Sequence, residues 1–117
     1  SGAKNFAAWF DEYPEIKFIL AHMNYHDPAD SIELAKKYPN VYLETSWQPA
    51  ETIAEAVREV GSEKIMFGTD WPFAGNNQEV GLKRIRIAQK SGWISELQME
   101  QLLGKTAARV FGITHAT

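Results

Sequence analysis

Lys17-Phe18-Ile19-Leu20-Ala21-His22 is an apolar run of strand length, preceded by the turn residues Tyr13-Pro14 and ending on a histidine. A short run of this kind, apolar without alternation, is the pattern of a strand covered on both faces, as in parallel sheets. Reading upstream, Phe6, Trp9, Phe10 and Tyr13 fall at helical spacing, and Pro14 ends that helix. Downstream, Asp27-Pro28 opens a helix that carries Ile32, Ala35 and Tyr38 on one face, and Tyr38-Pro39-Asn40 stops it. Val41-Tyr42-Leu43-Glu44-Thr45 follows as a second strand rich in β-formers. Pro49 starts a helix with Ile53, Val57 and Val60 in register, and Gly61 stands where a helix-terminating glycine belongs. Ile65-Met66-Phe67-Gly68-Thr69 is the third strand. Beyond a loop through Trp71-Pro72-Phe73 and Gly75-Asn76-Asn77, Leu82, Ile85 and Ala88 mark a helix closed by Gly92. Ser95 with Gln98 is a capping box for a last long helix reaching Gly104, and Thr106 is placed to cap a final turn through Val110 and Phe111. One helix between successive strands predicts parallel pairing, strands in sequence order, with right-handed crossovers. The fold class is therefore α/β.

Composition narrows the function classes. The 117 residues are 44% hydrophobic and 23% charged, with a formal net charge of −3, which suits one globular domain over residues 1–117. No basic surface recommends nucleic acid or an anionic membrane as a partner. No stretch approaches the roughly 20 apolar residues of a membrane span, the N-terminus does not read as a signal peptide, and the cytoplasm is the expected compartment. With no cysteine, disulfides, thiolate metal sites and cysteine nucleophiles are excluded. Ser1-Gly2-Ala3 read as a processing or cloning remnant and are set aside from the fold.

Two polar residues close predicted strands: His22 after the first and Asp70 after the third. Ligands and chemistry gather at that edge of parallel α/β architectures. An imidazole and a carboxylate there suit metal ligation or water activation. Spacing alone leaves His22 equally readable as a hydrogen-bonded core histidine, and Asp70 as a helix cap or an Asx-turn before Pro72. Gly75-Asn76-Asn77 and Gly61-Ser62-Glu63-Lys64 are too short and misplaced for phosphate loops. Lys83, Arg84 and Arg86 read as the solvated face of a helix.

Four blocks resemble, in order, the amidohydrolase-related family of metal-dependent hydrolases and decarboxylases. They are Glu15–His22, Lys36–Ser46, Lys64–Phe73 with its Gly68-Thr69-Asp70-Trp71-Pro72-Phe73 core, and Leu102–Ile113. The resemblance implies strands six to eight of a TIM (β/α)8 barrel plus C-terminal helices, a partial barrel, since a whole one takes roughly 250 residues. It implies His22 and Asp70 as catalytic residues, with His22 holding a water or substrate oxygen. Asp70 would also be a metal ligand, and Trp71 and Phe73 would form the pocket wall. The implied cofactor is a divalent metal in the complete enzyme, zinc being the expected one, with none or weak binding in this chain. The implied substrate is a small carboxylated or cyclic molecule. The family's His-x-His of the first strand and its fifth-strand histidine or lysine have no counterpart in the four blocks, and neither His26 nor His115 replaces them. Where the family has glycines after its histidine, this chain has Met23-Asn24-Tyr25-His26.

Counting back from an inward His22 places Leu20, Phe18 and Ile16 on the inner face. From Asp70 the same count gives Gly68 and Met66, and on the second strand Tyr42, Glu44 and Ser46. A partial barrel then leaves Ile16, Phe18, Leu20, Tyr42 and Met66 to solvent and two strand edges open. The chain must then self-associate, bend its helices over the sheet, or sit beside a missing N-terminal half; a homo-oligomer or that missing half is the expected partner. Three functional readings follow: a fragment of a metal-dependent hydrolase or decarboxylase that needs its N-terminal half, a non-catalytic, stand-alone oligomeric α/β module, and, least favoured, a small enzyme that uses His22 and Asp70 without metal.

Overall fold

The computed structural model describes residues 2–70 and 77–112. Its elements are α1 (Ala7–Glu12), β1 (Phe18–Leu20), α2 (Pro28–Lys37), β2 (Val41–Glu44), α3 (Ala50–Val60), β3 (Ile65–Met66), α4 (Asn77–Lys90), α5 (Glu96–Glu100) and α6 (Thr106–Val110). The three strands form one parallel sheet in sequence order. Phe18 pairs with Val41 and Leu20 with Leu43, while Leu43 pairs with Ile65 and Glu44 with Met66. The alternation of helix and strand thus yields the expected α/β sheet, although each strand is shorter than its apolar run.

Local signals set the helix ends. Asp27 caps α2, its Oδ1 accepting from the Asp30 amide at 3.4 Å. The Ser95–Gln98 capping box forms at the start of α5. Gly61 ends α3 at φ 101°, a conformation only glycine adopts without strain. Thr106 is different from its expected role. It lies inside the helical segment, buried, and its hydroxyl donates to the Ser62 carbonyl at 2.7 Å, so it fastens α6 to the approach of β3 and caps nothing.

One face of the sheet carries the core. Val41, Leu43 and Ile65 are fully buried against Ile32, Leu34 and Ala35 of α2, Ile53 and Val57 of α3, and Ile85 and Ala88 of α4. Phe10 adds an edge-to-face contact with Phe18 at 4.9 Å and another with Tyr38 at 5.3 Å. Ala3, set aside as remnant sequence, is buried in this core. Asn40 ties α1 to the sheet: its buried amide donates to the carbonyls of Phe10, Tyr13 and Ile16 at 3.0–3.1 Å. Lys64 serves the end of α2, donating to Ala35 and Tyr38 carbonyls at 2.5 and 2.8 Å, and burial pushes its ammonium below the usual lysine range.

The sheet register corrects the parity expected for β1. Paired residues of parallel strands share a face, so Phe18 and Leu20 lie on the helix side with Val41 and Leu43, and Ile19 faces the other way with Tyr42. The count back from His22 fails because alternation stops at Leu20. Ala21–Asn24 form a tight turn in which His22, Met23 and Asn24 have φ of 58°, 48° and 62°, followed by Tyr25 at 36°. On β3 the expected parity is found, with Ile65 helix-side and Met66 opposite.

Met66 is nevertheless buried, and the β3 edge is not open. The last long helix breaks at a π-turn, Gln101–Lys105, where Gly104 leaves helical geometry. That irregular turn frees the Leu102 carbonyl, which accepts from the Phe67 amide at 2.8 Å and so extends the sheet edge. Beyond it α6 packs on β3, with Ala108 and Val110 buried outside the main core. Lys17 reaches the Val110 carbonyl at 2.8 Å, tying the start of β1 to the end of α6. The C-terminal segment therefore shields part of what a partial barrel was expected to expose. What stays bare is the β1 side. There Phe6, Trp9, Tyr13 and Ile16 are 39–52% exposed, and a groove of about 320 Å³ runs between α1 and β1, lined by Phe6, Trp9, Phe18 and Ile19. Among the described residues β1 pairs with β2 alone.

The left-handed run after β1 generates a test. Tyr25 is 49% exposed at φ 36°, where a Cβ is strained and glycine is not. Tyr25→Gly and Tyr25→Ala remove the same ring. Tyr25→Gly is expected to be the more stable of the two in urea unfolding by about 1 kcal/mol. Equal stability, or a preference for alanine, would show that the backbone there is not left-handed.

Candidate active site

The turn after β1, the loop after β2 and the chain following β3 converge at the C-terminal edge of the sheet. Glu44, the last residue of β2, faces away from the helices beside Met66. Its side chain is 18% exposed, and its carboxylate draws the first two segments together. Oε1 accepts from the His22 amide at 3.3 Å and from the Ser46 hydroxyl at 2.9 Å, while Oε2 accepts from the Ser46 amide. Gly68 lies directly against this carboxylate, and a side chain there would collide with it. The glycine of the third apolar run is thus explained by close approach.

His22 sits over this base. Its Nδ1 is 2.5 Å from Ser46 Oγ and 3.8 Å from Glu44 Oε1, and its Nε2 is 3.9 Å from Asp70 Oδ2. The two residues singled out in the sequence therefore do meet, across the intervening strand. Asp70 and Trp47 both adopt positive φ, 59° and 69°, and the Trp47 indole donates to Asp70 Oδ2 at 2.8 Å. Non-glycine residues held in this region concentrate at functional sites, because surrounding contacts must enforce them. Gln48 supplies that enforcement for the first turn: its buried amide donates to the carbonyls of His22 at 2.7 Å and Tyr25 at 3.2 Å. Arg84 in turn donates to the Gln48 carbonyl at 3.3 Å. It belongs to the support of the site, while its neighbour Lys83 remains on the solvated face, 3.6 Å from Glu79.

The sequence alone assigns no chemical role to Ser46, Trp47 or Gln48. Alternation puts Glu44 and Ser46 on the inward face with the site, and that is the available signal. His26 is exposed, its ring edge-on to Tyr25 at 4.3 Å. Trp71, Phe73 and His115 lie outside the described residues. Nothing in the described geometry assigns His26 to the site.

Chemically, Nε2 and Oδ2 stand too far apart for a direct hydrogen bond. One oxygen atom at ordinary hydrogen-bond distance from both completes a triangle, so the pair is suited to holding a water or a substrate oxygen. A divalent metal is a separate matter. Among the described residues no group of three or more histidine, aspartate or glutamate side chains is placed to hold one. These residues therefore do not amount to a complete metal shell. No described helix is long and apolar enough to cross a membrane.

Comparison with known proteins gives concordant results. Gamma-resorcylate decarboxylase of Polaromonas sp. (strain JS666 / ATCC BAA-500) is 35% identical over a region covering 55% of this chain and 26% of that protein. The chain thus spans about a quarter of the length of the curated relatives it matches. A dihydroxybenzoic acid decarboxylase from Polaromonas sp. JS666, solved with manganese and the inhibitor 2-nitroresorcinol, superimposes with a TM-score of 0.69 at 27% identity. That match covers 92% of this chain and 37% of that one. An amidohydrolase from Burkholderia multivorans with bound zinc gives 0.76 at 20% identity, covering 95% and 49%, and shares the fold. The Amidohydrolase family model matches residues 5–113, and the chain belongs to that family.

Proposed function

We propose that this chain is the C-terminal portion of an amidohydrolase-family (β/α)8 barrel, strands six to eight with the closing helices, and that the whole enzyme decarboxylates a small carboxylated aromatic or cyclic substrate. The observation that carries the proposal is the approach of His22 Nε2 to Asp70 Oδ2, 3.9 Å across the sheet edge where parallel α/β enzymes place their chemistry. The names of the relatives favour decarboxylation over hydrolysis, and their cofactors favour a divalent ion, manganese or zinc. In this reading Asp70 is one ligand of that ion, with the others supplied by the N-terminal part of the barrel. Bound there, the ion would supply Lewis-acid stabilisation of negative charge on a substrate oxygen.

This chain's own residues do the rest. The Trp47 indole fixes one carboxylate oxygen of Asp70, and Ser46 fixes the ring of His22. The imidazole and the carboxylate between them hold a substrate oxygen, and His22 stands where it can hand a proton to, or take one from, the bound molecule. Loss of carbon dioxide leaves a carbanion that must be protonated, so a proton donor in contact with substrate is required.

A second reading, a stand-alone non-catalytic module, is favoured by the burial of Met66 beside the C-terminal segment. In either reading the bare β1 side seeks a partner. With the N-terminal half absent, the groove beside Trp9 and Phe18 is covered by a second copy of the chain. Sedimentation equilibrium across a dilution series is expected to show a dimer or higher species, and Trp9→Glu is expected to shift it toward monomer. A wild-type chain that stays a folded monomer at micromolar concentration contradicts this.

Activity separates the two readings. The chain would be combined with the N-terminal three-quarters of a gamma-resorcylate decarboxylase and manganese, and carbon dioxide release from gamma-resorcylate followed. Turnover is expected in the complex and not in either part. His22→Asn and Asp70→Asn are each expected to lower it by about 10²–10⁴-fold. A stable complex without turnover would support the non-catalytic module.

A further inference from the structure

Ser46 Oγ lies between two partners, 2.5 Å from His22 Nδ1 and 2.9 Å from Glu44 Oε1. A serine hydroxyl has one proton to give, and an ionised carboxylate can only accept. If Ser46 gave its proton to His22 Nδ1, the hydroxyl oxygen and Glu44 Oε1 would face each other as two acceptors with no proton between them. With the proton directed to Glu44, the hydroxyl oxygen is free to accept from Nδ1–H. Glu44 Oε1 is 3.8 Å from Nδ1 and Asp70 Oδ2 is 3.9 Å from Nε2, so the two carboxylates nearly balance across the ring and the single hydroxyl proton decides. It favours the proton at Nδ1.

We propose that Glu44 and Ser46 are positioning residues that hold His22 as its Nδ1–H tautomer and direct the Nε2 lone pair toward Asp70 and the mouth of the site. This rests on the reading of His22 as the reacting imidazole for its catalytic meaning, but the tautomer itself stands on the geometry alone. The consequence is chemical. A histidine held this way meets its substrate first as an acceptor, so the site selects a group that brings an O–H proton to Nε2. The backbone enforces the arrangement: Glu44 and Ser46 come from one strand end, and Gly68 leaves room for the carboxylate between them and β3. A direct carboxylate–histidine pair would fix the same tautomer. The interposed hydroxyl adds a point at which one small substitution changes it.

The experiment is nuclear magnetic resonance on the 117-residue chain with ¹⁵N-labelled histidine, at about pH 9 where an ordinary imidazole is neutral. The His22 ring signals are assigned by their loss in His22→Gln. Wild-type His22 is expected to show protonated Nδ1 and unprotonated Nε2, unlike the exposed His26. Ser46→Ala is expected to reduce the Nδ1–H population severalfold, toward the ratio seen for His26, and Ser46→Thr to restore it. Glu44→Gln is the second arm. In either orientation the amide offers Ser46 a weaker acceptor or a donor in place of the carboxylate, so the Nδ1–H population is expected to fall. A wild-type ring protonated at Nε2, or Nδ1–H retained in both folded Ser46→Ala and folded Glu44→Gln, overturns the proposal. None of these readouts needs metal, substrate or an N-terminal half, so their failure is distinct from failure of the decarboxylase reading.

Discussion

The carboxylate of Glu44 is the constraint on which the site depends. It is mostly withdrawn from solvent, and among the described residues no lysine or arginine lies against it; amides and a hydroxyl satisfy it instead: the His22 amide, the Ser46 amide and the Ser46 hydroxyl. Hydrogen bonds to an ionised group are among the stronger ones, roughly 1.5–3 kcal/mol each. They draw the turn after β1 and the loop after β2 onto one point. Gly68 completes the arrangement from the chain following β3, because only a residue without a side chain lets that chain pass the carboxylate. Removing the charge would loosen those two segments together, and with them the relation between His22 and Asp70.

Strain and support are matched here. Four consecutive non-glycine residues, His22 to Tyr25, run left-handed, and Trp47 and Asp70 do so singly. Each such residue costs of order 1 kcal/mol. The compensating contacts are the two carbonyls taken by Gln48, the full burial of Met23 in the core, and the indole of Trp47 on Asp70. The bulky sequence after His22 is thus tolerated because its backbone is held by residues more than twenty positions away.

That distance explains what the sequence could and could not reveal. The helix starts at Asp27 and Ser95, the stop at Gly61 and the parallel order of the strands were legible, because each depends on neighbours within a few positions. His22 and Asp70 were legible as candidates from their place at strand ends. The face assignment of Phe18 and Leu20 was not. It requires knowing that alternation ends at Leu20, and the contacts that end it come from Glu44 and Gln48. The burial of Met66 was hidden likewise, since it depends on a π-turn at Gln101–Lys105 that follows no local periodicity. The part played by Trp47 rests on one side-chain contact across the sheet edge, for which spacing carries no signal, and for Ser46 alternation gives the face and not the partners.

In the proposed function His22 and Asp70 belong to one metal-assisted site completed by an N-terminal half. An anomalous-scattering map from crystals of the reconstituted complex grown with manganese tests this most directly. A peak about 2.0–2.3 Å from the Asp70 carboxylate is expected, with the His22 ring beside it and not coordinated. A manganese peak that leaves Asp70 uncoordinated, or a His22 ring turned away from it, would contradict a shared site.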